Sequence, residues 1–118
     1  MAKKDRNYLL FVEDVLVNLE HAVEYTQGMN LDSFLNDRKT QDAVIRCIEI
    51  AGEAAHNVPD VIKEKYPDVD WDDLYAFRVK MAHHYFDTDV TIVWQIVQQH
   101  ISRNIELLKI ILEKETNA

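Results

Sequence analysis

Arg78, His83 and Tyr85 stand within one short stretch, Arg78-Val79-Lys80-Met81-Ala82-His83-His84-Tyr85. A guanidinium keeps its charge at any physiological pH, an imidazole exchanges a proton near neutrality, and a phenol both donates and accepts hydrogen bonds. Together they suit a phosphate. The guanidinium meets two phosphate oxygens at once, and the imidazole can take a proton from an attacking oxygen or give one to a departing oxygen. Lys80 and His84, in the same stretch, are further candidates for phosphate contact. A purely structural reading also accounts for these residues: an arginine paired with Asp72, Asp73 or Asp87, and a histidine that satisfies carbonyls at a helix end. Five residues along a regular helix rotate by about 500°, a net of about 140°. Arg78 and His83 therefore share a site only where the helix ends between them, or where a symmetric dimer brings two sets of these groups to one cleft.

Other chemistry-bearing residues are sparser. Glu53-x-x-His56, with Glu49 one turn earlier, resembles half of a di-metal carboxylate site, and no other segment supplies the second half, so no metal centre is expected. Cys47 lies within an apolar helical pattern beside Ile48, with no base in the sequence to activate its thiol. With two glycines in the chain there is no glycine-rich phosphate loop.

The elements that must position the central stretch are helices. Apolar residues at Tyr8, Leu9, Val12, Val15, Leu16, Leu19 and Val23 recur at helical spacing from Asp5 to about Gln27, where Gly28 stops the helix. Asn30 to Asp37 reads as a short connector turn packed over the end of a bundle. The next helix runs from Arg38 or Thr40 to Asn57, with Val44, Ile45, Ile48, Ala51, Ala54 and Ala55 facing inward. Its succession of small residues, Ala51, Gly52, Ala54 and Ala55, allows a neighbouring helix to approach closely. Pro59 opens a short helix to Lys65 as a first-turn proline, and Pro67 stops it. Asp70 caps a helix that begins near Trp71, buries Leu74, Phe77 and Met81, and frays near His83 to Phe86. Asp87-Thr88-Asp89 is a loop capping one long last helix, from Asp89 to Glu115, with Val90, Val93, Ile96, Val97, Ile101, Ile105, Leu108 and Leu112 as its apolar stripe. Ile92, Trp94, Leu107, Ile110 and Ile111 widen that stripe, which implies either a dimer or partner surface or burial on two sides of its own bundle.

The expected fold is thus all-α: an up-and-down bundle of four to five helices with a short connector helix, in one domain spanning 1–118. A composition that is 47% hydrophobic, with two glycines and two prolines, agrees with it. The single cysteine points to a reducing compartment. The apolar run Tyr8 to Val12 is cut short by Glu13 and Asp14, too soon for a signal peptide or a membrane span, so a soluble, cytoplasmic protein without membrane partners is expected. A formal charge of −8 argues against broad non-specific nucleic-acid binding, and no segment of the chain is basic. Any nucleic acid must meet a small local patch or one supplied by assembly.

Arg78, four residues, His83, one residue, Tyr85, set in a small helical chain, resembles the HEPN superfamily, and the layout is similar to the HepT-like toxins. Ile50-Ala51-Gly52-Glu53-Ala54-Ala55 resembles the small-residue helix of those proteins, Asp70-Trp71-Asp72-Asp73-Leu74 the approach to the motif, and Ala82-His83-His84-Tyr85-Phe86 with Val93-Trp94 its exit. The likeness covers roughly Tyr8 to Leu108. It implies a homodimer whose motifs line one cleft, acting as a metal-independent endoribonuclease without a cofactor. In that role Arg78 stabilises charge on the phosphate, His83 serves as general base or acid, and the product is a 2′,3′-cyclic phosphate. It also implies a type VII-like toxin–antitoxin pair, in which a small nucleotidyltransferase of the MntA type neutralises the toxin by transferring AMP to Tyr85. In these motifs the residue after the arginine is commonly Asn, and here it is Val79. That departure leaves an alternative, a non-catalytic helical module that binds a nucleotide or docks a nucleotidyltransferase.

Overall fold

The computed structural model describes residues 7–82 and 89–117, and these are helical apart from short connections. Seven α-helical elements follow one another: α1 (Tyr8–Tyr25), α2 (Leu31–Leu35), α3 (Arg38–Asn57), α4 (Asp60–Lys65), α5 (Trp71–Ala82), α6 (Val90–Ile96) and α7 (Ser102–Thr116). A π-helical stretch, Val97–Ile101, joins α6 to α7. The all-α bundle expected from the periodicity is the observed architecture. Among the described residues no helix is long and apolar enough to cross a membrane.

α3 occupies the middle, packed between α1 and α5, while α1 also packs on α7. The ends of these elements are written locally. Asp37 accepts the Thr40 N–H (3.0 Å) and hydroxyl (2.8 Å) at the start of α3, and these bonds hold its carboxyl below the usual range. Asp89 accepts the Thr91 N–H at 2.9 Å to cap α6. Asn30 and Ser33 exchange reciprocal bonds of 2.8 and 2.9 Å around the start of α2. α2 then drops Phe34, with no exposed surface, into the core, 5.3 Å from the Trp94 ring. Gly28 takes φ +77°, the left-handed conformation that turns the chain after α1.

Two details differ from the sequence reading, and a third falls on one of its two alternatives. Pro59 is the N-cap of α4, with ψ 147°, rather than its first helical residue, and its carbonyl accepts the Ile62 and Lys63 N–H groups at 3.0 and 3.1 Å. The last helix is interrupted by the π stretch, and below it the buried stripe is Asn104, Ile105, Leu108, Ile111 and Glu115, so Ile111 takes the deep place expected for Leu112. Of the residues that widen the stripe, Ile92, Trp94 and Leu107 pack on the chain's own core, Ile111 is buried in it, and Ile110 stays exposed.

Two polar clusters tie the bundle ends. Glu115, 7% exposed, accepts hydrogen bonds from the Tyr8 hydroxyl (2.7 Å), the Tyr66 hydroxyl (2.5 Å) and Lys65 Nζ (2.7 Å). The Lys65 and tyrosine donors push its carboxyl down to about 2, and burial with the neighbouring carboxylate pushes the Tyr66 phenol up to about 12. At the approach to α5, the fully buried Asn104 accepts the Asp70 N–H at 3.0 Å and donates to the His100 carbonyl at 2.6 Å. Asp70 directs its carboxylate to Arg103 (3.0 Å) and Asn104 (3.2 Å), a tie to α7 in addition to its place before the helix.

Candidate functional site

α3 and α5 run antiparallel and approach closely at Gly52. A Cβ built at that position would lie 2.5 Å from the Leu74 carbonyl oxygen and nearer still to the Arg78 Cβ, so only glycine admits the α5 backbone here. The Arg78 stem lies on Gly52 and its guanidinium turns to the next residue of α3. Arg78 Nε and Glu53 Oε1 are 3.2 Å apart, with the two side chains 35% and 49% exposed. Because Glu53 engages Nε, the two terminal nitrogens keep their capacity to donate to an oxyanion.

The guanidinium borders a groove of about 280 Å³ lined by Phe11 and Asp14 of α1, by Arg46, Glu49, Ile50, Glu53, Ala54 and Asn57 of α3, and by Arg78. Arg46 stands 3.9 Å from Glu49 and is largely exposed. Two guanidiniums facing three carboxylates make a mixed surface, which binds an anion only where an arginine exchanges a carboxylate partner for it. One turn along the same seam, the His56 and Tyr75 rings stack with centroids 4.0 Å apart and planes 16° from parallel. Lys63 Nζ donates to the His56 carbonyl at 3.3 Å.

Of the residues singled out by sequence, Arg78 is at this surface and Lys80 is exposed on the last turn of α5. His83, His84 and Tyr85, with the expected helix end and the Asp87-Thr88 part of the loop, lie outside the described residues. The arginine's partner is Glu53, not Asp72 or Asp73, which are exposed on the first turn of α5. The Gly52-Glu53 pair held the signal: a glycine that lets the arginine's backbone in places the adjacent carboxylate within reach. Glu49, Glu53 and His56 do not converge on a metal. They turn instead to Arg46, Arg78 and Tyr75, and among the described residues no group of three His, Cys, Asp or Glu side chains could hold an ion. Cys47 is buried, and burial pushes its thiol up, away from the reactive thiolate.

Residues 15–112 match the family described as ribonuclease HepT-like. A relative from Methanocaldococcus jannaschii, named "Putative RNase MJ0127", is 39% identical over 96% of this chain and 92% of its own length. Another from Thermococcus cleftensis, named "Probable ribonuclease HepT", is 38% identical over 81% of this chain and 87% of its own. No solved structure matches the chain.

Proposed function

Since this chain belongs to the HepT-like ribonuclease family, we propose that it is an endoribonuclease whose phosphate-binding group is Arg78 and whose proton-transfer group is His83. The observation that supports Arg78 in this role is its placement: its stem rests on Gly52, one nitrogen is oriented by Glu53, and the guanidinium is at the surface of the α3–α5 seam. A guanidinium buried in the core would have no access to RNA.

The reaction follows from these groups. The RNA 2′-hydroxyl loses its proton to the His83 imidazole and attacks the adjacent phosphorus. As the P–O2′ bond forms, the P–O5′ bond breaks, and the departing 5′-oxygen takes a proton from an imidazole, leaving a 2′,3′-cyclic phosphate. In the transition state the phosphoryl oxygens gain negative charge, which the terminal nitrogens of Arg78 meet with two hydrogen bonds. Neither a metal nor a cofactor is required by this scheme. In a homodimer with the motifs facing one cleft, one protomer's imidazole acts as base while its partner's acts as acid.

The chain further reads as the toxin of a toxin–antitoxin pair held inactive by a small MntA-like nucleotidyltransferase. In that step the Tyr85 hydroxyl attacks the α-phosphorus of ATP, forming a phosphodiester to AMP and releasing pyrophosphate. The added phosphate and adenosine bring negative charge and bulk to the motif, in competition with the RNA phosphate for its arginine.

The test is expression of the wild type beside His83→Ala and Arg78→Ala, scored for growth arrest and for RNA fragments ending in a cyclic phosphate. Both substitutions are expected to abolish both effects. Equal behaviour of His83→Ala and wild type would sink the ribonuclease reading and leave the non-catalytic binding module to which Val79 points. Intact mass after co-expression with a nucleotidyltransferase of this type is expected to show AMP additions that Tyr85→Phe loses.

A further inference from the structure

A second feature of the α3–α5 seam is not needed to explain Arg78. His56 and Tyr75 lie face to face at 4.0 Å and 16°, one on each helix, at stacking distance with His56 exposed and Tyr75 partly so. Ala51, Ala55 and Leu74 of the same two helices are buried, whereas the stacked pair reaches the surface. Phe34 and Trp71 are buried in the core, and Tyr8 and Tyr66 bond to Glu115, while Phe11 lines the groove at Arg78.

The position of the pair connects it to the phosphate site. His56 follows Glu53 by three residues on α3, and Tyr75 precedes Arg78 by three on α5. Three residues rise about 4.5 Å along a helix, within the span of a single nucleotide. On the far side, Lys63 Nζ sits 3.3 Å from the His56 carbonyl. Arg78, the stacked rings and Lys63 follow one another in the phosphate, base, phosphate order of a single strand, with Glu53 beside Arg78 and with Asp60, Glu64, Asp72 and Asp73 lining the groove that Lys63 borders. Every nucleobase has a π-face, so exposed aromatic rings bind single strands with little sequence preference while flanking cations hold the backbone. The chain's other described histidine–tyrosine pair, His21 and Tyr25, differs on each count. It lies along one helix at 5.8 Å, with Glu20 before the histidine and Glu24 before the tyrosine.

We propose that the His56–Tyr75 pair is a nucleobase-stacking subsite for single-stranded RNA, seating the base beside the phosphate held by Arg78 while Lys63 receives the next phosphate. This assignment rests on the ribonuclease reading and names the part of the substrate it grips.

The probe is an oligoadenosine decamer with a fully 2′-O-methylated backbone, which lacks the nucleophile and cannot be cleaved, carrying one 2-aminopurine and a terminal fluorophore. Binding to the full chain is followed by anisotropy, and stacking by quenching of 2-aminopurine. Tyr75→Ala and His56→Ala are each expected to weaken binding about 5- to 100-fold and to relieve the quenching. Tyr75→Phe keeps the ring and is expected to retain both signals, and Tyr25→Ala is expected to change neither. If Tyr75→Ala and His56→Ala bind and quench like the wild type while Arg78→Ala loses binding, the stacking subsite is overturned and the ribonuclease reading stands. Weaker binding with the quenching retained also overturns it, because the rings then act only through the fold. A wild-type chain that neither binds this probe nor cleaves RNA overturns both readings.

Discussion

Replacing Gly52 by alanine tests the link between helix packing and the site. Two effects oppose one another. In a helix interior alanine is better than glycine by about 1 kcal/mol, because it restricts the unfolded chain more. Against this, the new methyl would sit 2.5 Å from the Leu74 carbonyl oxygen, about 0.9 Å short of the 3.4 Å at which ordinary contact begins, and closer still to the Arg78 Cβ. Neither obstacle is the far end of a flexible side chain, so α5 must move off α3 by most of that shortfall. Overpacking of this kind costs about 1–3 kcal/mol, and separating the helices weakens the half-exposed Arg78–Glu53 pair by a further ~0.2–1 kcal/mol. The sum is a net destabilisation of roughly 0.2–3 kcal/mol, centred at about 1.5. Urea unfolding followed by circular dichroism measures it as a lower midpoint at unchanged slope. Because a displacement near 1 Å at a positioning group can cost about 100-fold in rate, RNA cleavage is expected to fall much further than stability. A Gly52→Ala chain as stable as the wild type, with undiminished cleavage, would refute the argument that the close approach at Gly52 seats Arg78.

The remaining predictions concern the scaffold. Glu115 is held at about 2, well below the 4.5 of a free glutamate. The stability it contributes is therefore fully present above about 4.5 and is lost as pH falls through about 2; discounted for the exposed Lys65, it is about 2–3 kcal/mol. Glu115→Gln should flatten the acid limb of a stability-against-pH curve, and an unchanged limb would remove the cluster from the account. Tyr66, raised to about 12, gives the opposite sign: its contribution holds below about 10 and fades as pH climbs through 12, which Tyr66→Phe should abolish in alkaline unfolding. Asn104→Leu strands the Asp70 N–H and the His100 carbonyl and should cost about 1–3 kcal/mol by the same urea assay. Cys47, buried and with a raised thiol, should react with a thiol reagent only as fast as the native chain opens, so its rate should jump to that of a free thiol on adding denaturant.

Most helices could be read from the chain because their signals are local. Arg38–Asn57 shows its apolar residues at helical spacing with Asp37 placed to cap it, and Trp71 follows the turn at Pro67. The small residues of α3 announced a close approach, and the approach occurs at Gly52. The sequence offers Glu53 as part of half a di-metal carboxylate pattern, and its choice of Arg78 is not legible there. Asp72 and Asp73 are nearer in sequence, and only the antiparallel packing of α3 on α5 puts the more distant carboxylate closer in space.

The same division holds elsewhere. Composition and periodicity by themselves determined an all-α chain built of amphipathic helices, with Arg78 carried on the helix after Asp70, because burial pattern and capping depend on neighbours a few residues apart. Tertiary structure alone decided where the last helix loosens into a π stretch at Val97–Ile101, that Glu115 is buried under two tyrosines and a lysine, and that His56 meets Tyr75. Those are contacts between segments up to 107 residues apart. Their partners are selected by how whole helices seat against one another, which no short window of sequence contains.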